Sequence, residues 1–337
     1  MSLLDVRDMR VYYKTKKGIA QAVDGVSFSV EPGQSLGLVG ESGCGKSTMV
    51  NGIIRVMAKN AFIPSGEVLF DGQDLTLLPE KEMRNVRWRD LSLIPQAAMD
   101  SLNPVYPVED AFTEVLTLKG NMTKKEAHAR TVELFTMVGL DPDRLGNFPH
   151  EYSGGMKQRA AIALALALEP RLVIADEPVT ALDVIVQRQV LNELKRLRSE
   201  LNLALIMITH DISVVAETCD NIVVMYAGKV VEKGSTQEVL ENPLHPYTMG
   251  LENAFPDPRQ QDKELISIEG SPPDLVNPPS GCRFAPRCPF AMERCLAEEP
   301  PYEEVDEEHQ HGAACFRLSE TLKLQKLAKE VETWQPA

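Results

Sequence analysis

The chain lacks an apolar run long enough to cross a membrane. The longest, Ala160 to Leu168, is bounded by Arg159 and Glu169. It falls far short of the ~20 residues that a bilayer helix needs and reads as a buried helix instead. Any role at a membrane must then come through a partner. The chain also lacks a surplus of positive charge: 35 Lys and Arg face 49 Asp and Glu, for a net charge of −14. This argues against holding nucleic acid on a basic surface. No basic flank with an apolar stretch follows Met1, so no signal peptide is expected and the protein is placed in the cytosol. Internal repeats and a sustained heptad pattern are missing too, which excludes a repeat array and a long coiled coil. A length of 337 residues points to about two domains.

What the chain does have is two motifs for phosphate chemistry, far apart in sequence. The first is Gly40-Glu-Ser-Gly-Cys-Gly-Lys-Ser-Thr48, which reads G-x-x-x-x-G-K-S. Ser35 to Val39 before it is a short apolar run, readable as a buried strand, and a helix is expected from about Lys46. Gly40, Gly43 and Gly45 let the backbone curl so that the N–H groups from Ser42 through Cys44 to Thr48 face an anion. The helix start favours the same charge. Lys46 would reach the β- and γ-phosphates, and the Ser47 hydroxyl would hold Mg²⁺. The competing reading is an accidental glycine-rich turn, which the flanking strand and helix speak against. The second motif, Ser153-Gly154-Gly155 ahead of Met156 to Arg159, sets a glycine pair directly before a helix. Alone it explains nothing. It makes sense if it closes over a nucleotide held by the first motif of another copy, as in an ATPase that works as a dimer.

Short strands dominate residues 1–95: Val26–Val30, Ser35–Val39, Val68–Phe70 and Leu91–Ile94, with Asp71-Gly72 as a turn. Residues 97–170 read as mostly helical. Thr123 and Glu126 make a capping box at one helix start, and Gly139 is a C-cap after Val138. Strands return at Leu172–Ala175, Leu203–Thr209 and Ile222–Tyr226, with a helix over Val186–Leu201 among them. This alternation predicts an α/β fold with a largely parallel sheet. The strand Leu172–Ala175 runs into Asp176 and Glu177. Asp176 can hold Mg²⁺, and Glu177 can polarise an attacking water. The plain alternative is a strand entering an acidic turn, but Thr180-Ala-Leu-Asp183 follows at once. His210 ends the next strand, and parallel strands would bring residues 177 and 210 to one edge beside the phosphate loop.

Together these motifs resemble the nucleotide-binding subunit of an ATP-binding cassette (ABC) transporter, over roughly residues 1–240. The resemblance implies a P-loop NTPase (RecA-like) core at 1–96 and 171–240, an inserted helical signature subdomain at 97–170, and a C-terminal extension at 241–337. It implies the Walker A role for Gly40–Thr48, Walker B for Leu172–Asp176, and a catalytic carboxylate at Glu177. Gln96 is similar to the Q-loop glutamine, a further Mg²⁺ ligand. Asp183 closes the D-loop, His210 matches the switch histidine, and Tyr13 stands where the family sets an aromatic against adenine. Catalysis would then rest on Lys46, Glu177 and His210. Ser153, Gly154 and Gly155 match the signature motif, with Tyr152 replacing its usual Leu and Met156 its Gln.

The likeness narrows to the ATPase subunits of dipeptide and oligopeptide importers through Ser101-Leu-Asn-Pro104, Ser153-Gly-Gly-Met156 and His245-Pro-Tyr-Thr248. One departure is Gln96-Ala-Ala-Met99, where relatives often have Gln-Asp-Pro-Met, in a stretch that faces the membrane subunits. The implied partners are a second ABC ATPase subunit, two transmembrane permease subunits and, indirectly, an extracytoplasmic solute-binding protein. The second subunit would be a related chain in a heterodimer, with a homodimer as the other option. The implied place is the cytoplasmic face of the cell membrane, held peripherally. Relatives of this group also import oligosaccharides or nickel. A soluble ABC ATPase of repair or translation is the alternative from another class, but such proteins usually carry a long coiled coil or two cassettes. A nucleotide sensor without turnover is a third, which Glu177 and His210 speak against.

Past about residue 240 the texture turns to Pro, Cys and acidic residues. Cys282, Cys288, Cys295 and Cys315 are spaced C-x5-C-x6-C-x19-C, whereas Cys44 and Cys219 lie in the ATPase part. A disulfide framework does not suit a reducing cytosol, and the C-x2–4-C hairpins usual for zinc are absent. Four thiolates on an irregular loop suit an iron–sulfur cluster, with zinc or unligated thiols as the alternatives. The subfamily resemblance implies [4Fe–4S], beside ATP and Mg²⁺. Arg283, Arg287 and Arg294 lie among the cysteines and are expected to offset thiolate charge. His309 and His311 are candidate substitute ligands, although a solvated acidic loop is their blander context. Such a cluster would clip a segment too short and polar to fold well alone, packed separately from the phosphate loop.

Overall fold

The computed structural model describes residues 2–96, 101–180, 182–254, 268–306 and 310–335. The first stretch of elements is β1 (Leu4–Thr15), β2 (Gly18–Val30), β3 (Ser35–Val39), α1 (Lys46–Ile53), β4 (Ala61–Phe62), β5 (Glu67–Phe70) and β6 (Gln73–Asp74). The middle of the chain gives α2 (Glu80–Arg89), β7 (Leu91–Ile94), α3 (Val108–Leu118), α4 (Lys124–Met137) and α5 (Gly154–Ala165). Next come β8 (Leu172–Asp176), α6 (Val184–Leu201), β9 (Ala204–Thr209), α7 (Ile212–Thr218), β10 (Asn221–Tyr226) and β11 (Lys229–Ser235). The last are α8 (Thr236–Glu241), α9 (Pro246–Ala254), α10 (Glu293–Ala297), β12 (Glu303–Asp306), β13 (His311–Ala313) and α11 (Thr321–Leu327). Among the described residues no helix is long and apolar enough to cross a membrane.

The chain forms two compact units. The first takes Met1–Leu3, Val30–Ser35 and Leu77–Ile208. Its core is the parallel set β7, β8 and β9, with Leu91 opposite Leu172 and Leu172 opposite Ala204. All five residues of β8 are buried, as a parallel strand covered on both faces requires. The helices of this unit are α2 to α6. The Phe112 and Phe135 rings join α3 to α4 edge to face at 5.5 Å. The expected capping box is present at α4: Thr123 accepts from Glu126 N–H, and the Glu126 carboxylate accepts from Thr123 N–H at 2.8 Å. Gly139 stops the chain after Val138 with φ 67°.

The second unit takes Leu4–Ser29, Leu36–Thr76 and Thr209–Ala337. It has a five-stranded sheet ordered β2-β1-β5-β6, with β4 also paired to β1. A second set runs β12-β13-β11-β10-β3; β10 is parallel to β3 and antiparallel to β11. The tail thus supplies strands to the sheet that holds the phosphate-loop strand, through Glu232 opposite Ala313. It is not packed apart from that loop, as the sequence led us to expect. The reason is pairing between distant segments, which no local pattern announces.

Candidate functional site

In the second unit, β3 is buried along its whole length and delivers the chain into Gly40–Thr48. Gly45 is where the loop needs glycine most: its φ is 109°, and a Cβ there would stand 2.2 Å from the Ala22 carbonyl oxygen. No side chain caps α1 at this position, and N–H groups at a helix start are the natural seat of an anion. Ser42, Gly43 and Ser47 are exposed. Lys46 is buried, and its ammonium donates to the Gly40 and Glu41 carbonyls at 2.5 and 3.0 Å. Cys44 is fully buried; burial raises its thiol pKa, opposed by the Lys46 charge. Tyr13 lies on β1 with its hydroxyl 3.2 Å from Thr48 Oγ1. His210 is exposed directly ahead of α7, whose N-cap Asp211 accepts from Ser213 N–H at 2.8 Å.

The first unit gathers the other residues that the sequence marks. Asp176 is buried at the end of β8. Glu177 turns the chain with φ 48°, a left-handed conformation that costs a side-chain-bearing residue on the order of 1 kcal/mol. Its N–H donates to Ile208 O at 2.8 Å, which fixes that turn. Gln96, just past β7, donates its amide to Glu177 Oε2 at 3.0 Å, and the Thr180 hydroxyl donates to the same oxygen at 3.0 Å. Two donors from separate segments therefore aim one carboxylate. Asp183 is the N-cap of α6 and accepts from Val186 N–H at 3.0 Å. Ala97 to Met99, the departure next to Gln96, lie outside the described residues.

Ser153 caps α5, its hydroxyl accepting from Met156 N–H at 3.3 Å. A Cβ on Gly155 would stand 2.6 Å from Val186 Cγ1, so glycine there permits the close approach of α5 and α6. Tyr152 explains its own presence. Its ring is buried and its hydroxyl donates to Arg144 O at 2.7 Å, an anchor that leucine could not make. Burial pushes its pKa up to about 12.

Residues 23–180 match the family model described as ABC transporter, and residues 231–295 match the oligopeptide/dipeptide transporter, C-terminal region. The oligopeptide transport ATP-binding protein OppD of Bacillus subtilis (strain 168) is 45% identical over 311 residues, covering 91% of this chain and 87% of that protein. The OppD protein of Escherichia coli (strain K12) is 44% identical over 323 residues, covering 95% of each. This chain belongs to the ATP-binding subunits of ABC transporters. It has the ABC ATPase cassette fold, shared at a TM-score of 0.62 and 28% identity with a dimeric cassette in a post-hydrolysis state bound to ADP and Pi. That likeness covers 69% of this chain and 98% of the other. The chain is accordingly an ABC-type ATPase.

The tail of this ABC subunit brings Cys282, Cys288, Cys295 and Cys315 around one small cavity, closed by Phe284, Phe290 and Arg317 among others. Cys282 N–H donates to Cys295 O at 2.8 Å, and Cys288 N–H to Ala285 O at 3.2 Å. Burial, and then the charges of the neighbouring thiols, push Cys288 upward; the same causes take Cys315 to about 11. Among the described residues no group of three or more His, Cys, Asp or Glu is placed to hold a metal ion. The arginines do not serve the thiols as expected. Arg283 reaches Asp24 at 2.5 Å, Arg287 reaches Glu41 at 2.9 Å, and Arg294 reaches Glu298 at 2.9 Å. A nearby carboxylate satisfies a guanidinium better than a neutral thiol does. Arg317, not foreseen, donates its backbone N–H to Cys315 Sγ at 3.4 Å, while its guanidinium donates to Glu320 at 2.7 and 3.0 Å. His311, weighed as a substitute ligand, has its Nε2 2.8 Å from the Glu232 carboxylate and does not line the cavity of the cysteines; His309 lies outside the described residues. Sequence reasoning also missed Tyr247, whose hydroxyl accepts from Glu41 N–H at 2.9 Å. The signal was His245-Pro-Tyr-Thr248, read only as a marker of the subfamily.

Proposed function

We propose that this ABC subunit powers uptake of dipeptides and oligopeptides. The observation that carries it is near-full-length identity, 44–45% over 91–95% of the chain, to subunits named for oligopeptide transport. In this reading Lys46 and the loop N–H groups hold the phosphates, and Tyr13 lies against adenine. Ser47, Gln96 and Asp176 supply oxygen donors for Mg²⁺, which would neutralise charge on the transferred phosphoryl group. Glu177 orients the attacking water and His210 senses the γ-phosphate. Ser153 to Gly155, with Asp183 nearby, act on the nucleotide of a second ABC subunit, a related chain in a heterodimer. Two permease subunits carry the stroke, with a solute-binding protein delivering cargo, and the ATPase sits at the cytoplasmic face of the membrane. The test is uptake of labelled peptides in cells deleted for this subunit. The unaltered chain should restore uptake, and Glu177→Gln should not, while still binding ATP. Restored uptake of nickel or oligosaccharide in place of peptide would overturn the cargo.

The same proposal covers the four cysteines. Zinc needs its ligands within about 2.3 Å of one point. An iron–sulfur cluster spreads its thiolates over separate irons. What supports the reading is that all four cysteines line one small cavity. Cys282, Cys288, Cys295 and Cys315 would hold a [4Fe–4S] centre that clips the tail, with no redox step required. Iron and acid-labile sulfide should be present together in anaerobically purified protein, and Cys288→Ser should remove both. Stoichiometric zinc without sulfide would overturn the assignment.

A further inference from the structure

The phosphate loop is held by a group that none of the nucleotide motifs contains. Glu41 is the second residue of the loop, and every polar handle it has is engaged. Its N–H donates to Tyr247 Oη at 2.9 Å, and its carbonyl accepts from Lys46 Nζ at 3.0 Å. Its carboxylate receives one Arg287 nitrogen at 2.9 and 3.1 Å. The Arg287 side chain is only 7% exposed. It also donates to Tyr226 Oη at 3.1 Å, to Ile268 O at 2.9 Å and to Glu269 O at 2.8 Å. The guanidinium is thus fixed from the tail side and presented to the loop. The Tyr226 and Tyr247 rings, both fully buried, pack edge to face at 4.7 Å beside it.

A carboxylate on a loop that must accept a triphosphate is an electrostatic liability. Like charges in a partly buried site repel strongly, because solvent screens them poorly. Arg287 cancels that charge, and by holding Glu41 it steadies the carbonyl to which Lys46 donates. We propose that Arg287 is a positioning residue for nucleotide binding, tying ATP affinity to the tail. This rests on the reading of Gly40–Thr48 as the ATP site. Arg287 does not touch the reacting atoms; it acts through Glu41.

The test measures binding of a fluorescent ATP analogue with Mg²⁺ to the full chain, together with steady-state hydrolysis. Arg287→Ala should weaken binding about tenfold and raise KM for ATP with little change in kcat, since it leaves Glu41 charged and unopposed. Adding Glu41→Gln removes that charge, so the double variant should return to within about twofold of Glu41→Gln alone. A prop that merely holds the tail would show no such rescue, and a double variant as weak as Arg287→Ala overturns the proposal. Should Arg287→Ala fail to fold, Arg287→Lys keeps the charge and Arg287→Gln does not. The Lys variant should then bind several-fold more tightly than the Gln variant, and equal affinities overturn the proposal. Failure of the unaltered chain to bind Mg·ATP would overturn the ATP-site reading and this inference with it. Binding that is indifferent to Arg287 overturns the inference alone.

Discussion

Glu232 is a carboxylate with 0% exposure, and its surroundings show what a single residue can require of a fold. The N–H groups of Leu244 and His245 each donate to it at 2.8 Å, and His311 Nε2 stands 2.8 Å away. A buried carboxylate needs such a set, because desolvation is otherwise prohibitive. His245 in turn is buried, and its Nδ1 accepts from Tyr247 N–H at 3.0 Å. Burial lowers its pKa from 6.5 to about 3, so it is neutral in the folded chain. Between those two values the unfolded chain binds a proton that the folded chain does not. The stabilising contribution is therefore complete above pH 6.5 and drains as pH falls toward 3, by up to about 1.4 kcal/mol per pH unit. Urea midpoints should drop between pH 6.5 and 5. His245→Asn, which keeps an acceptor for Tyr247 N–H, should flatten that drop. Equal slopes in the two proteins would show that His245 does not control it.

At the scale of elements, what could be read from sequence is what is local. Ser35–Val39 and Leu172–Ala175 are short apolar runs, and both are buried strands, the second extending to Asp176. The Thr123–Glu126 capping box is a spacing within four residues, and it closes as expected. Strand β1 was not read, because its buried positions are interrupted by exposed charges and by Asp8 at φ 43°. Strand β13 is only His311-Gly-Ala313, and it becomes a strand by pairing with β11. The contacts that matter most around the loop join residues more than two hundred positions apart, Glu41 with Tyr247 and with Arg287. No spacing rule reaches that far. The cap itself makes a prediction. Thr123→Ala removes the hydroxyl that accepts from Glu126 N–H at the start of α4. It should destabilise the protein by about 1 kcal/mol in chemical denaturation, with nucleotide affinity unchanged. No measurable loss would mean that packing through Leu134 and Phe135 alone holds the helix.

At the scale of the whole molecule, the signature segment has a structural duty in its own chain. Ser153 caps α5, and Gly155 admits Val186. Both are contacts within the first unit, and they are separate from the proposed action of the segment on the ATP of a second subunit. Ser153→Arg separates the two duties. Losing the cap costs about 1 kcal/mol, small against the 5–15 kcal/mol that keeps a domain folded. The isolated chain should therefore stay folded and bind Mg·ATP with nearly its ordinary affinity, because Lys46 and its loop are untouched. Hydrolysis should fall by about a hundredfold or more, since a bulky cation replaces a small donor where the transition-state charge would be met. If the chain pairs with itself in place of a related subunit, a mixture of Ser153→Arg with Lys46→Ala chains should regain part of the activity. Each mixed pair rebuilds one intact composite site from the loop of one chain and the signature of the other. Loss of ATP binding in the isolated Ser153→Arg chain would show that the two motifs serve the same chain.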